Sequence, residues 1–595
     1  MKTINDTHQQ FASFFKSEAI APFAYLLSKR LHEGHICIYK KDADIYCKEL
    51  PYQPPFVDIT SKKLNAIVGT AGNNKPFILH KDRLYMHRYF TYETQILSAI
   101  AELLKTEKAE RTEREKSLQK YKGLIASLQA DYDLANNTEE EKIDWQLAAA
   151  IQGVLNNFTI ITGGPGTGKT TTVAKILSLL YSINPNCKVA LAAPTGKAAM
   201  RMAESLKQTS LLLSKEIKEN FSRLHPNTIH RLLKYIPNSI YFRHNKSNPL
   251  PYNVVIVDEA SMIDVALFAK LLDAIGPNTR LILLGDKNQL ASVEAGTMFG
   301  DLCKSIENSN AFTNETADLI NHFIKDPERK IIPAFVNKNK HPLAQHIIEL
   351  KKSHRFNGVG GIGKFSTAII HNDVPTIYDF IHQPKDSSVI IDIEFKDNVF
   401  ESFIKEYKAY LEEDNISLAL QKLNNIRVLC AVREGPHGLY ATNKAIEAYL
   451  YKHKLLEPKG EFYENRPIII TKNYPDLKLF NGDVGILRKD DSGNLRAWFE
   501  DSDKNIRAVM PGYISNAETV FAMTIHKSQG SEYKEVLVLL PQNNINQLLT
   551  RELLYTAVTR AKEKVIVQST ESIIMETSQA SVKRASGIIN RFEEI

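Results

Sequence analysis

Eight consecutive residues, Gly163-Gly164-Pro165-Gly166-Thr167-Gly168-Lys169-Thr170, form the pattern G-x-x-x-x-G-K-[ST]. Glycines at this spacing let the backbone curl until its N–H groups point at phosphate oxygens. A helix that follows adds the positive end of its dipole. Lys169 is then placed to neutralise the β- and γ-phosphates, and Thr170 to ligand Mg²⁺ through its hydroxyl. Gly163 to Thr171 are the expected nucleotide-binding set, with ATP and Mg²⁺ as ligands.

About 90 residues further on, Val254-Val255-Ile256-Val257 delivers two adjacent acids, Asp258 and Glu259. Asp258 would hold Mg²⁺, and Glu259 would polarise the attacking water. The run LILLGD-KNQL brings Gly285, Asp286 and Gln289 to another strand end, where Gln289 could bond the γ-phosphate and sense its loss. Two arginines, Arg355 in SHRF and Arg560 in AVTRAKEK, are candidates to reach the nucleotide across a cleft and stabilise transition-state charge. Taken singly, either arginine reads as a surface ion pair, and the glutamine as a polar turn.

Such residues need strand ends and helix starts to hold them. The runs FTIITG (Phe158 to Gly163), VALAAP, VVIVDEAS and LILLGD alternate with helical patterns such as TTVAKILSLLY. That alternation predicts an α/β fold, a parallel sheet flanked by helices. A second such texture starts with RVLCAV near Arg427 and ends with LLYTAVTRAKEKVIVQS. Between Pro458 and Tyr513, short strands with the turn signals NGDVG, DDSGN and PGY predict a small β-barrel inserted in the second lobe. Residues 1–104 read as a small N-terminal domain and 105–144 as a charged linker. Residues 145–352 read as the first lobe, with a polar insertion near 305–352, and 353–595 as the second lobe. The linker expectation rests on Lys105 to Lys122, dominated by Lys, Arg and Glu, and on Asn136-Asn137-Thr138.

Composition narrows the function classes. Hydrophobic residues at 43% and charged residues at 24% suffice for several cores and exclude a largely disordered chain. No run approaches the ~18 apolar residues that span a bilayer. The opening MKTINDTHQQFASFF lacks a basic segment followed by an apolar one, so neither a membrane nor a secretory signal is expected. Five dispersed cysteines (Cys37, Cys47, Cys187, Cys303, Cys430) argue against a disulfide framework or a metal cluster. A cytoplasmic location is the expectation. The net charge of +7 permits a polyanionic partner without demanding one.

The motifs, in order, resemble a superfamily 1 helicase: phosphate loop, PTGKAA, TIHRLL, VIVDEASMID, GDKNQL, SHRF, TIHKSQGSEY and LYTAVTRAK. More specifically the chain resembles the RecD family, the alpha subunit of exodeoxyribonuclease V in the RecBCD complex. CAVREGPHG (Cys430 to Gly438), RPIIITKN (Arg466 to Asn473) and LFNGDVGI (Leu479 to Ile486) carry this, with AMTIHKSQGSEY (Ala522 to Tyr533). The likeness is strong from Trp145 to Ser569, weaker before that, and absent from Ser305 to Lys352. It implies two RecA-like lobes, with Gln146 at the adenine edge and Glu532 at the ribose. It implies single-strand contacts from Pro194, Thr195, Gly196, Lys197, Thr228 and His230 in the first lobe. Thr524, His526, Lys527 and Gln529 would continue that track in the second. Hydroxyls, small residues and a few cations suit a grip on the nucleic-acid backbone that reads no bases.

The resemblance further implies an ATP-driven motor moving 5′ to 3′ on single-stranded DNA from duplex ends, acting in double-strand-break repair and recombination. RecB-like helicase–nuclease and RecC-like scaffold subunits would be its partners. No additional acid cluster of the D…ExK pattern is evident, so nuclease activity is expected in a partner. The first domain sets Tyr85, Tyr89, Phe90 and Tyr92 beside Arg83 and Arg88, a composition that suits either a docking face or the domain's own core. Three rivals stand beside this reading. A free-standing RecD-like helicase would be expected to carry a longer N-terminal extension. A nucleotide switch would hydrolyse ATP without moving. An RNA helicase is distinguished weakly, because phosphate contacts hardly sense the sugar.

Overall fold

The computed structural model describes all residues except 1–5, 43–58, 61, 130–137, 211–214, 337–340, 357–360, 384–385, 502–503, 544–547 and 595. Cys47, Asn136 and Asn137 lie outside the described residues. At the N-terminus, helices Thr7–Phe14 and Ala21–His32 cover a four-stranded sheet. Its strands are β1 (Cys37–Tyr39), β2 (Val68–Gly69), β3 (Phe77–His80) and β4 (Arg83–Met86), in the order β1-β4-β3-β2. Alternation splits its residues between two faces. Ile38, Phe77 and Leu84 pack under the helices, while Cys37, Ile78 and Tyr85 face the other way with Phe90. Tyr85 and Phe90 are buried, and Tyr89 and Tyr92 pack toward the first lobe. These aromatics fill cores; only Arg88 of the group is exposed.

The boundary expected at residue 104 falls inside a single helix, His87–Lys120. Ile96, Leu97, Ile100 and Leu103 recur at three- and four-residue spacing and join the core of the first lobe. The charges that suggested a linker are partly internal. Arg114 donates to Leu155 O and Asn157 Oδ1, both at 2.7 Å, and Asn157 N donates to Glu107 Oε2 at 2.7 Å. Residues 105–120 thus buttress the first lobe through Glu107 and Arg114, which pair with its polar groups, while Lys105, Lys108, Glu113, Lys116 and Lys120 stay exposed.

In lobe 1 six parallel strands run in the order β10-β5-β9-β8-β6-β7. They are β5 (Phe158–Gly163), β6 (Val189–Ala193), β7 (Asn227–Thr228), β8 (Val254–Val257), β9 (Arg280–Gly285) and β10 (Ile347–Leu350). The interval 305–352 is therefore not an insertion. It ends in β10, which pairs with the strand before the phosphate loop from Ile347↔Ile160 to Leu350↔Gly163. Helix Asn314–Phe323, in the same interval, contributes Ile320 and Phe323 to the lobe core.

Lobe 2 contains a second parallel sheet, order β11-β20-β19-β12-β18, built from β11 (Val389–Asp392), β12 (Ile426–Cys430), β18 (Ala522–Thr524), β19 (Tyr533–Leu539) and β20 (Ala561–Gln568). Inserted in it is an antiparallel sheet of β13 (Pro467–Ile470), β14 (Val484–Lys489), β15 (Leu495–Glu500), β16 (Ile506–Val509) and β17 (Ala517–Thr519). Its order, β16-β15-β14-β13-β17, leaves β16 and β17 as edges. The strands thus reach Thr519, beyond the range 458–513 expected for a barrel.

The end of the chain leaves lobe 2. Ile588 and Phe592 enter the core of lobe 1, and Ala585 packs on Cys37 and Tyr85 of the N-terminal sheet. No described helix is long and apolar enough to cross a membrane.

Candidate nucleotide cleft and nucleic-acid groove

Strand β5 ends at Gly163 and a helix runs from Lys169 to Ile183, so the phosphate loop is the strand-to-helix turn. Gly166 and Gly168 have φ of +76° and +86°. A Cβ at Gly166 would collide with Arg355 Cβ, and one at Gly168 with the Gln146 amide nitrogen. Backbone conformation and close approach both require glycine there. The loop is braced from outside. Ser353 Oγ donates to Pro165 O at 3.0 Å, His354 N to Gly166 O at 2.8 Å, and Gln146 Nε2 to Thr167 O at 3.1 Å. Lys169 Nζ donates to Gly163 O at 2.7 Å and Gly164 O at 3.0 Å.

At the end of β8, Glu259 N donates to Asp258 Oδ1 at 2.8 Å. Glu259 has φ of +51°, a left-handed backbone that costs a non-glycine residue about 1–3 kcal/mol. Burial, then the neighbouring Glu259, push the Asp258 carboxyl up to about 6, against the pull of Lys169. Two acids crowded in this way favour a nearby cation.

The lobes meet around this centre. Gln289 Nε2 donates to Asp286 Oδ2 at 3.1 Å. From lobe 2, the buried Arg560 donates through Nε to Thr556 O and through Nη1 to Ser531 O, both at 3.1 Å. Arg355 and Arg201 both bond Glu532 Oε1 at 2.6 Å, and Lys562 lies 3.5 Å from its other oxygen. Burial alone would raise the Glu532 carboxyl, but Arg201 and Arg355 hold it well below the usual carboxylate range. The phosphate loop, the acidic pair, Gln146, Gln289, Arg355, Glu532 and Arg560 line a single cleft of about 620 Å³. Thr170 and Thr171 lie in the same lining.

A separate groove of about 810 Å³ runs between lobe 1 and the antiparallel sheet. Gly196, Thr228, Arg231, Lys207 and Lys218 line it, and the Arg231 guanidinium stands 4.1 Å from the ring centre of Phe480. Thr195 Oγ1 accepts from Ala198 N at 3.2 Å and Thr228 Oγ1 from Arg231 N at 3.3 Å, so each hydroxyl caps a helix. Its proton stays available to a phosphate. Pro194 to Lys197 follow β6, and Thr228 and His230 end β7 and start a short helix, so both sets share one edge of lobe 1. Burial lowers the Lys197 ammonium. In lobe 2, Thr524, His526 and Lys527 sit at the end of β18. Lys527 Nζ pairs with Glu518 at 2.9 Å. Gln529 departs from the expected track: it is buried, and its Nε2 donates to Leu290 O of lobe 1 at 2.9 Å. That amide is spent on lobe contact rather than on a strand.

A model of an AAA domain matches residues 146–295, and one of a UvrD-like helicase C-terminal domain matches 519–568. The protein named RecBCD enzyme subunit RecD of Mycobacterium tuberculosis is 36% identical over 459 residues, spanning 76% of this chain and 73% of its own. The chain belongs to the RecD family. The RecD of Mycolicibacterium smegmatis is 31% identical over 95% of this chain and 92% of its own length. The ATP-dependent RecD2 DNA helicase of Deinococcus radiodurans is 28% identical, over 69% of this chain and 46% of that protein. Among solved structures, a Bacteroides Pif1 in complex with ADP-AlF4 aligns at 17% identity and a TM-score of 0.34, covering 78% of this chain and 97% of that one.

In this RecD-family chain the cleft also holds residues that sequence reasoning did not single out. Arg201 is one; its spacing four residues after Lys197 on helix Gly196–Ser210 was the available signal. Tyr555, behind the cleft lining rather than in it, was missed too; Arg551–Val558 sets it against Asp286 and the phosphate loop. In LLYTAV it reads as one more apolar core position, and nothing local marks it.

Proposed function

We propose that this RecD-family chain is an ATP-driven translocase on single-stranded DNA and the RecD subunit of a RecBCD-type helicase–nuclease. One observation above all supports the reading. The phosphate loop and acidic pair of lobe 1 share a cleft with Arg560 of lobe 2 and with Arg355, in the segment that follows β10. Lys169 would exchange the carbonyls of Gly163 and Gly164 for β- and γ-phosphate oxygens. Gln146 would meet the adenine edge. Glu259 would orient the attacking water, and Arg355 and Arg560 would stabilise the charge developing on the γ-phosphoryl group. Thr170 and Asp258 are the residues that would hold Mg²⁺, and the raised Asp258 carboxyl suits a place where added positive charge is favourable. The ion would neutralise phosphate charge there.

Arg355 is held by Glu532 in this structure, so engaging the γ-phosphate would mean trading one anion for another. Such an exchange would link nucleotide state to the distance between lobes. The residues Pro194 to Lys197, Thr228 and His230 would grip the strand on one lobe, and Thr524 to Lys527 on the other. Alternating grips would turn each cycle into a step. A 5′ to 3′ direction, RecB-like and RecC-like partners docked on the N-terminal unit, and an SH3-like sheet closing over the strand complete the reading. Strand displacement tests it. A duplex with a 5′ single-stranded tail should open with ATP, and one with a 3′ tail should not. Indifference to tail polarity would overturn the direction, and absence of ATP-dependent opening would overturn the motor.

A further inference from the structure

Three side chains of lobe 2 grip one short segment of lobe 1. The Tyr555 hydroxyl donates to Asp286 Oδ2 at 3.0 Å. Leu290 N donates to Thr556 Oγ1 at 3.0 Å, and Gln529 Nε2 donates to Leu290 O at 2.9 Å. Between the gripped residues stands Gln289, whose Nε2 donates to the same Asp286 oxygen that Tyr555 uses, at 3.1 Å. Asp286, Gln289 and Tyr555 are only 2%, 7% and 6% exposed. Asp286 Oδ2 accepts from both the Gln289 amide and the Tyr555 hydroxyl, which sets the amide with its nitrogen toward Asp286 and its Oε1 away from it. That Oε1 is buried with no hydrogen-bond partner among the described residues, and Gln289 lines the cleft together with Glu259. A buried acceptor left unpaired is unfavourable unless something entering the cleft pairs with it. The Tyr555 hydroxyl also abuts the phosphate loop, since a Cβ at Gly164 would lie 3.0 Å from it.

We propose that Tyr555 and Asp286 are positioning residues for hydrolysis: they hold Gln289 so that its Oε1 accepts a hydrogen bond from the attacking water, and they make that placement depend on closure of lobe 2. The inference rests on the ATPase reading above. When lobe 2 withdraws, Asp286 loses the Tyr555 donor and Leu290 loses both of its partners. The Gln289 amide is then free to turn. With the lobes closed, the water oxygen bonds the γ-phosphorus, the bond to the bridging oxygen breaks to leave ADP, and the proton passes to Glu259. Gln289 takes no proton and only orients.

Tyr555→Phe deletes one hydroxyl and tests this in the full chain. Affinity for a fluorescent ATP analogue should stay within about twofold of the parent, while kcat for hydrolysis with single-stranded DNA falls about tenfold. Gln289→Ala should lose as much, and the Tyr555→Phe/Gln289→Ala double variant should lose no more than Gln289→Ala alone, because the tyrosine acts through the glutamine. Asp286→Asn should show the same split, and it decides the matter if Tyr555→Phe lowers the unfolding midpoint substantially. A parental kcat in Tyr555→Phe, a loss confined to nucleotide affinity, or losses that multiply in the double variant would each overturn the proposal. A parent that hydrolyses no ATP with DNA present would instead overturn the ATPase reading itself.

Discussion

Glu259 combines two demands, a carboxylate facing the cleft and a backbone at φ of +51°. Glu259→Gln keeps the shape and removes the charge that orients water. Nucleotide binding should persist, while turnover with DNA falls by about 10²–10⁴. Steady-state hydrolysis at the parental rate would remove Glu259 from the chemistry. At this scale the phosphate loop and the acidic pair were legible because their signal is local: glycines at fixed spacing, and an apolar strand ending in acids. Even there the structure adds a reason the motif does not carry, since Gly166 and Gly168 must also admit Arg355 and Gln146. The contacts of Gln529 and Tyr555 were not legible in the sequence. Their partners lie 239 and 269 residues away in lobe 1, and no local pattern encodes such a contact.

Among elements, the C-terminal segment makes the least expected contacts. Glu93, wholly buried on helix His87–Lys120, accepts from Gly587 N at 2.7 Å and from Arg591 Nη1 at 3.1 Å. Removing one partner strands a buried charge, so Arg591→Met should cost about 3–5 kcal/mol in urea unfolding. Replacing both Glu93 and Arg591 by leucine should cost less than either single change; the reverse order would contradict the pairing. Nearby, Asp301 accepts from Ser586 Oγ at 2.7 Å and Thr297 Oγ1 at 2.9 Å. Burial pushes its carboxyl from the ordinary 3.8 up to about 6. Between those values the folded chain binds the extra proton, so this residue's stabilising contribution is present below about pH 4 and is lost as pH rises through about 6. Asp301→Asn, which mimics the protonated form, should therefore gain on the parent as pH rises from 4 to 7, by up to about 3 kcal/mol. A difference in unfolding free energy that is flat with pH would refute this. The two α/β textures and the antiparallel sheet were readable from strand runs and turn residues. Strand β10 was hidden because it has only four residues after a polar stretch. The long helix was hidden because Glu107 and Arg114 look solvated until their partners in lobe 1 are seen.

For the molecule as a whole, the proposed motor would join the cleft and the groove as two ends of one device. The lobes touch through Asp286 and Leu290 on one side and Tyr555, Thr556 and Gln529 on the other, so in the proposed reading nucleotide would sit between them and the strand would cross the edges of the same two sheets. Binding at the groove should therefore change the rate at the cleft. Because that binding neutralises phosphates and releases their counterions, it should weaken as rising salt makes that release less favourable. The most direct measurement is steady-state ATP hydrolysis by the full chain, titrated with single-stranded DNA at several salt concentrations, in the parent and in Lys169→Gln. A DNA-coupled motor predicts saturable stimulation in the parent, a half-maximal DNA concentration that climbs with salt, and no stimulated hydrolysis in Lys169→Gln. A rate indifferent to DNA, or hydrolysis that survives Lys169→Gln, would contradict it.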